Sequence, residues 1–192
     1  MLEPYLDGCG CSTQNTGKSF VEPGMLTEAS AALTAAGLRV HFHTLGDRAV
    51  REALDAIEST PGMVRPLLAH LQVIHPDDIA RFAPLDAVAS IQPLWARHES
   101  QMDELTIPFL GSTRSAWQYP FASLRRAGAP LALGSDWPVS TANPLEIIHT
   151  AVTRSPPGSS ANPLGGEQAI SLSDAVVGYT EGSAYANADE HR

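Results

Sequence analysis

The sequence predicts an α/β fold in which helices pack on a parallel sheet. Short apolar runs alternate with helical stretches, strand then helix, four times along the chain. Three of these runs end in a side chain that can carry chemistry, namely His43, His70 and Asp136. Because active sites of parallel α/β proteins collect at the carboxyl ends of strands, we expect these three side chains at one edge of the sheet.

Each predicted element follows from local residue patterns. Strands are predicted over 38–44, 65–70, 87–92 and 130–134. Helices are predicted over 25–36, 47–59, 76–82, 119–127, 144–153 and from 171 towards 186. Asp47 and Asn143 are suited to cap their helices, and Gly37 to end the first one. Residues 93–118 are predicted to be irregular, and a loop of that length is usually a lid or part of a pocket.

Length and composition fit one domain over residues 1–192 of a soluble globular protein, with 43% hydrophobic and 17% charged residues. A formal net charge of −9 argues against nucleic acid or an anionic membrane as partner. The first residues lack the basic and apolar regions of a signal peptide, which favours a cytoplasmic location. Cys9 and Cys11 are too close for an unstrained disulfide, and we expect ordinary loop thiols.

Alternation along the first strand places His41 and His43 on one face, with Val40 and Phe42 on the other. We expect His43 near the mouth of the site and His41 one layer deeper, as interior packing. The same rule places His70 on the face of Leu68.

Two imidazoles and one carboxylate are typical zinc ligands, and His43, His70 and Asp136 are the predicted set. Asp136 is also the predicted catalytic group, because a carboxylate beside a metal-activated water can take its proton and pass it to the leaving group. The alternatives are structural: a strand-end histidine is often a hydrogen-bonded core residue, and Asp136 can cap a turn. A doubly wound binding domain has no Gly-rich phosphate fingerprint to support it.

Four motifs carry a resemblance to a known family: His-Thr-Leu-Gly-Asp-Arg-Ala at 43–49, His-Leu-Gln at 70–72, Ser-Ile-Gln-Pro at 90–93 and Leu-Gly-Ser-Asp-Trp-Pro-Val at 133–139. In this order they resemble the amidohydrolase superfamily. The resemblance is closest to the metal-dependent hydrolases that include N-substituted formamide deformylases. Segments 143–145, 151–154 and 171–187 also fit that subgroup.

The resemblance implies a partial (β/α)8 TIM-type barrel, about strands five to eight with their helices. It implies that His43, His70 and Asp136 bind the metal, and that a metal-activated water hydrolyses an amide or similar C–N bond of a small molecule. Gln92, Trp137 and Arg154 are the candidate substrate-binding residues. Arg154 has two interpretations, a contact to a substrate carboxylate or pairing with a helix carboxylate, and the second is favoured.

Several parts of the family pattern are missing from this sequence. The first-strand His-x-His pair, the fourth-strand lysine and the β-sandwich are not found, so one zinc or other divalent ion is expected rather than two. Four strands without the other barrel half would leave two open edges and exposed apolar side chains. We therefore expect a homo-oligomer, a complementary half-barrel as partner, or poor solubility. A non-catalytic, metal-binding remnant is the alternative function.

Overall fold

The computed structural model describes residues 1–160 and 162–191. Its centre is a four-stranded sheet in the order β1-β2-β3-β4, with every neighbouring pair parallel. The strands are β1 His41–Thr44, β2 Leu67–His70, β3 Val88–Ile91 and β4 Leu131–Leu133. This confirms the predicted α/β class, and the sequential parallel order is that of a partial TIM-type barrel.

Helices connect and follow the strands. They are α1 Pro23–Ala35, α2 Asp47–Glu58, α3 Pro76–Ile79, α4 Ser100–Leu105, α5 Ile107–Ser115, α6 Phe121–Arg126, α7 Pro144–Thr153, α8 Leu172–Val177 and α9 Ser183–Asn187. A π-helical turn, Gly178–Gly182, joins the last two, and short 3-10 turns cover Pro93–Trp95 and Gly166–Gln168. No helix among the described residues is long and apolar enough to cross a bilayer.

The helix starts show which capping predictions hold. Asn143 caps α7, because its side-chain oxygen accepts the Leu145 N–H at 3.1 Å. Asp47 is instead the first residue of α2, after Gly46 at the N-cap. Its buried carboxylate accepts the N–H groups of Leu2 and Arg48, both at 2.8 Å. Asp47 therefore also fastens the N-terminal segment to the start of α2.

The prediction that residues 93–118 are irregular is wrong, because this segment holds α4 and α5. Both helices are short, and α5 is broken at Gly111, which has a φ of 74°. Breaks of this kind prevent the long 3.6-residue periodicity by which a helix is recognised in sequence.

The hydrophobic core lies between the sheet and its helices. At one register level it contains Phe42, Leu68, Ala89 and Leu131, one residue from each strand. The opposite face carries His41 and His43 on β1, both exposed. The alternation predicted for β1 is therefore confirmed.

One of the two sheet edges expected to be open is covered. The carbonyls of Leu131 and Leu133 face away from β3, which pairs with the alternate residues of β4. The turn 178–182 lies against this edge, and the Ser183 hydroxyl donates to the Leu133 oxygen at 2.8 Å. Only glycine fits at position 182, since a Cβ there would lie 2.0 Å from the Leu131 oxygen.

The residues after this turn continue onto the exposed face of the sheet. Ala186 is buried with Val88 and Ala132 in a small apolar cluster, against which Tyr185 packs. Arg65 donates to the backbone carbonyl oxygen of Tyr185 at 3.0 Å and forms a salt bridge with the Glu190 carboxylate at 2.7 Å. The C-terminal residues thus cover part of the face that would otherwise expose apolar side chains.

A charged cluster joins α2 to α3. Asp78 is 2% exposed and accepts hydrogen bonds from Arg51, at 3.0 Å and 3.3 Å to Nε, and from Arg81 at 3.1 Å. Because two arginines pair with it, the cost of burying the Asp78 carboxylate is compensated. Cys9 and Cys11 are both exposed and free, as expected for loop thiols.

Candidate active site

The two predicted histidine ligands meet at the carboxyl ends of β1 and β2. The ring centroids of His43 and His70 lie 4.9 Å apart at an interplanar angle of 76°. His41 lies further along the same face, 5.9 Å from His43. The sheet therefore brings together imidazoles from two strands.

His70 reaches this position because its backbone leaves the strand conformation. In register it pairs with Thr44, on the helix-facing side, so strict alternation would turn it away from His43. Instead His70 has a φ of 72°, and the Leu71 N–H reaches back to the Ala69 oxygen at 3.0 Å. This is a γ-turn, a strained conformation that redirects the ring towards His43.

Positive φ values concentrate at this site. Leu71 has a φ of 52° and Asp136 a φ of 57°, and neither is glycine. Such residues each cost about 1–3 kcal/mol and cluster at functional sites. Two of the three predicted ligands thus occupy strained backbone that the surrounding structure must hold.

Gln92 holds His70 in this conformation. Its Oε1 accepts the His70 backbone N–H at 3.0 Å, and its Nε2 donates to the Ser90 oxygen at 3.2 Å. Gln92 is only 6% exposed. The structure therefore places this candidate substrate-binding residue beneath the site, as a positioning residue for His70.

The surroundings of His70 and His41 favour their neutral forms. Burial lowers the pKa of His70, and the nearby Asp136 carboxylate partly opposes this effect. Partial desolvation also lowers the pKa of His41, helped by His43 and His70. Neutral imidazole is the form that binds a metal ion.

A cavity of about 450 Å³ lies at this edge, and both His70 and Asp136 line it. The other lining residues are Leu45, Gln72, Trp95, Glu99, Gln101, Met102, Thr106 and Tyr119. His41 and His43 line a separate groove of about 290 Å³ beside the β1 edge. A larger cavity, of about 860 Å³, lies beside the start of β4 and contains no histidine.

The donor types suit a divalent metal, whereas their arrangement does not form a complete site. Within residues 1–160 and 162–191, no three His, Cys, Asp or Glu side chains form a group that could hold a metal ion. The His43 and His70 rings lie close together, and His70 shares its cavity with Asp136. The three-ligand metal site therefore stays a prediction.

The profile of the amidohydrolase family matches residues 1–192 of this chain. The chain belongs to the amidohydrolase family. Protein LONG AFTER FAR-RED 3 of Arabidopsis thaliana is 35% identical to it over 195 residues, covering 98% of this chain and 32% of that protein.

Two solved structures of uncharacterized metal-dependent hydrolases are similar to this chain. A metal-dependent hydrolase from Pyrococcus horikoshii OT3 gives a TM-score of 0.82 at 27% identity, covering 97% of this chain and 36% of that one. Another, from Pyrococcus furiosus, gives 0.79 at 26% identity, covering 98% and 36%. The chain spans about a third of the length of these relatives. The likenesses support a hydrolase, and the family implies a divalent metal.

Two other predicted substrate contacts lie outside the 450 Å³ cavity. Trp137 is 68% exposed at the surface. Arg154 is 0% exposed. Its guanidinium donates to the backbone carbonyl oxygens of Leu164 at 2.8 Å and Tyr119 at 3.1 Å, and lies 5.0 Å from the centre of the Phe121 ring. Burial lowers the pKa of Arg154 to about 10. This burial leaves a substrate carboxylate no access to the Arg154 side chain. No ion pair of Arg154 within 4 Å forms in the described part of the chain, although the Glu167 carboxylate, in the turn Gly166–Gln168, favours its charged form.

Sequence reasoning missed most of the cavity wall. Residues 93–118, predicted only as a lid or pocket segment, contribute half of the lining residues: Trp95, Glu99, Gln101, Met102 and Thr106. Tyr119 also lines the cavity, and burial raises the pKa of its hydroxyl. The length of the segment was the available signal, because it lies between two strands that end at the site.

Proposed function

We propose that this chain forms part of the active site of a metal-dependent amidohydrolase that cleaves a non-peptide C–N bond, of the amide or formamide type, in a small molecule. The observation that carries the proposal is the approach of the His43 and His70 rings, 4.9 Å apart, beside a cavity that both His70 and Asp136 line. Family membership supports the reaction class. The substrate bond is our inference from that class.

His43 and His70 are the proposed metal ligands, with Asp136 as the third, and zinc is the proposed ion because it prefers this donor set. When bound, the metal supplies a nucleophilic water at neutral pH and polarises the substrate carbonyl. Asp136 would accept the proton of the attacking water and deliver it to the leaving nitrogen. Gln92 holds the His70 backbone, and the cavity wall from 95–106 limits access of other water.

Metal content tests the site directly. Protein dialysed against zinc and then against buffer should retain zinc, and His43→Ala, His70→Ala and Asp136→Ala should each retain much less. His191→Ala, an exposed histidine near the C-terminus, is the matched control and should retain as much as the parent. Equal zinc content in all variants would show that the site is wrongly assigned.

A second function, metal binding without turnover, is favoured by the absence from this sequence of the first-strand His-x-His pair and the fourth-strand lysine of the family pattern. Three protein ligands plus water suffice for zinc, so binding alone is chemically reasonable. Hydrolysis of N-benzylformamide by the zinc-loaded chain would support the enzyme. Zinc retention without hydrolysis, with or without the remaining part of the family domain, would support the binding function.

We also propose that the edge of β1 pairs with a strand from a complementary part of the barrel. The backbone groups of His41 and His43 face away from β2, and this edge adjoins the 290 Å³ groove. The matched relatives are about three times as long as this chain, which is enough additional length for such strands. Size-exclusion chromatography with light scattering tests this proposal. Co-elution of this chain with the complementary part of the barrel supports it. A stable homodimer, or a monomer that does not bind the complementary part, contradicts it.

A further inference from the structure

The loop that carries Asp136, residues 135–140, has little packing of its own. It follows β4 closely, and its residues 136–139 are exposed, with Trp137 and Val139 each 68% exposed. Asp136 nevertheless has a φ of 57°, which is uncommon for a residue with a side chain. Hydrogen bonds rather than burial must therefore hold this loop, which we refer to as the Asp136 loop.

The hydrogen bonds of the Asp136 loop converge on Ser135. The Trp137 N–H donates to the Ser135 hydroxyl at 3.2 Å, and the Ser140 hydroxyl donates to the Ser135 backbone oxygen. Between them, the Val139 N–H donates to the Asp136 oxygen at 2.8 Å. The loop is thus fastened to the residue directly before Asp136, and it keeps one conformation only if the Ser135 side chain is itself held.

The side chain of Tyr179 reaches Ser135 from the C-terminal part of the chain. A hydrogen bond joins the Tyr179 and Ser135 side chains. Tyr179 is half-buried and packs against the main hydrophobic core. This burial raises the pKa of its hydroxyl, an effect that the bond to Ser135 partly opposes. The phenol is therefore neutral near pH 7 and can form this bond without bringing a charge to the loop.

The π-helical turn that contains Tyr179 lies directly against β4. A Cβ at Gly178 would stand 2.5 Å from the Leu133 side chain, so the two segments approach as closely as glycine allows. The Ser183 hydroxyl bridges them, since it donates to the Gly178 oxygen at 3.1 Å and to the Leu133 oxygen at 2.8 Å. Turns of this kind are rare and often occur at functional sites. This one anchors Tyr179 to the strand that leads into the Asp136 loop.

We propose that Tyr179 is a positioning residue that holds the Asp136 loop through Ser135, and thereby holds Asp136 at the carboxyl end of β4. This inference rests on the proposed function for the role of Asp136 itself. The coupling of the two segments is measurable without metal or turnover. Tyr179→Phe removes the hydroxyl and keeps the packed ring, so it tests the hydrogen bond without opening a cavity.

Labelling with 15N-tryptophan provides the first measurement, because the chain has three tryptophans and hence three labelled backbone amides. The Trp137 amide donates to the Ser135 hydroxyl, whereas the amides of Trp95 and Trp117 donate to backbone oxygens elsewhere. In EDTA-treated protein, Tyr179→Phe should shift or broaden the Trp137 amide resonance and leave the other two unchanged. An unchanged Trp137 resonance would overturn the inference.

Tyr185→Phe is the matched control for this measurement. It removes the hydroxyl of another C-terminal tyrosine, which is bonded to Asp86 at 2.8 Å, and should leave the Trp137 amide unchanged. In a Ser135→Ala background, which lacks the partner hydroxyl, Tyr179→Phe should cause no further shift. An equal shift in Tyr185→Phe, or a shift that persists without the Ser135 hydroxyl, would show that the effect does not pass through this bond, and the inference would be wrong.

Zinc affinity, measured by competition with a chromophoric chelator, connects the Asp136 loop to the proposed site. Tyr179→Phe should bind zinc about tenfold more weakly than the parent, because groups that orient a metal ligand are typically worth about 10–100-fold in affinity. Its free energy of unfolding should match that of Tyr185→Phe, which separates positioning from a general loss of structure. Equal zinc affinity in Tyr179→Phe and the parent would overturn the inference. A parent chain that binds no zinc would refute the proposed function alone, and the Trp137 amide would then decide the inference.

Discussion

Gly182→Ala should destabilise the chain by displacing the turn that covers the β4 edge. The added Cβ would lie 2.0 Å from the Leu131 oxygen, whereas an ordinary contact is at least 3.4 Å. The turn must therefore retreat by about 1.4 Å, the difference between these distances. That shift breaks the 2.8 Å bond from Ser183 to Leu133.

The magnitude follows from three contributions. Loss of the hydrogen bond costs about 1 kcal/mol, and displacement of a packed segment costs about 1–3 kcal/mol. Alanine returns up to about 1 kcal/mol through its higher helix propensity. We therefore expect the free energy of unfolding to fall by about 2 kcal/mol.

Urea denaturation followed by circular dichroism measures this change. Gly24→Ala is the matched control, since it lies in α1 with nothing within 4 Å of where its Cβ would stand, and should be neutral or stabilise by about 0.5 kcal/mol. If Gly182→Ala is as stable as Gly24→Ala, the turn does not lie against β4. Because an uncovered edge promotes pairing between chains, Gly182→Ala should also self-associate more than the parent in size-exclusion chromatography.

Two further predictions concern charged groups. Asp78→Ala should lower the free energy of unfolding by about 2 kcal/mol, less than for a wholly buried pair because its two arginine partners can regain water. Asp77→Ala, whose side chain is 82% exposed, should change the free energy of unfolding by less than about 0.5 kcal/mol. If urea denaturation shows equal effects for Asp78→Ala and Asp77→Ala, the role assigned to Asp78 is wrong. Bonding to Arg65 lowers the pKa of Glu190 from 4.5 to about 2. The pairing therefore stabilises the C-terminal residues above pH 4.5 and is lost as the pH falls towards 2. The protection of amides in 183–191, corrected for the intrinsic pH dependence of exchange, should fall over that range. In Glu190→Gln this protection should already be low at pH 7 and should not change over that range; a pH step that persists in the variant would exclude Glu190 as its source.

Patterns that involve only neighbouring residues were sufficient to predict the framework. The four strands and the span of α7 follow from apolar runs, Pro144 and the Asn143 cap, all of which act within a few residues. The parallel order follows from the alternation of strand and helix. Neither the cover of the β4 edge nor the position of Arg154 could be predicted in this way. Both depend on contacts between segments distant in sequence, such as Ser183 with Leu133.

The ligand types at the site could also be predicted, while their directions could not. Alternation assigns His70 to the face of Leu68, and the structure turns it to the face of His43 through a positive φ. No residue preference predicts the positive φ of His70, because histidine has only a modest tendency to adopt positive φ. The conformation is instead imposed by bonds from outside the strand, including the one from the His70 N–H to Gln92.

This dependence explains why sequence reasoning assigned Gln92 to the substrate and not to His70. A side chain that supports strained backbone is recognised only once the strain is seen, and here the strain falls on two of the three residues that carry the chemistry. Strain of about 1–3 kcal/mol per residue persists only where the surroundings compensate it. The retention of His70 and Asp136 in these conformations is therefore itself an argument that their positions serve a site.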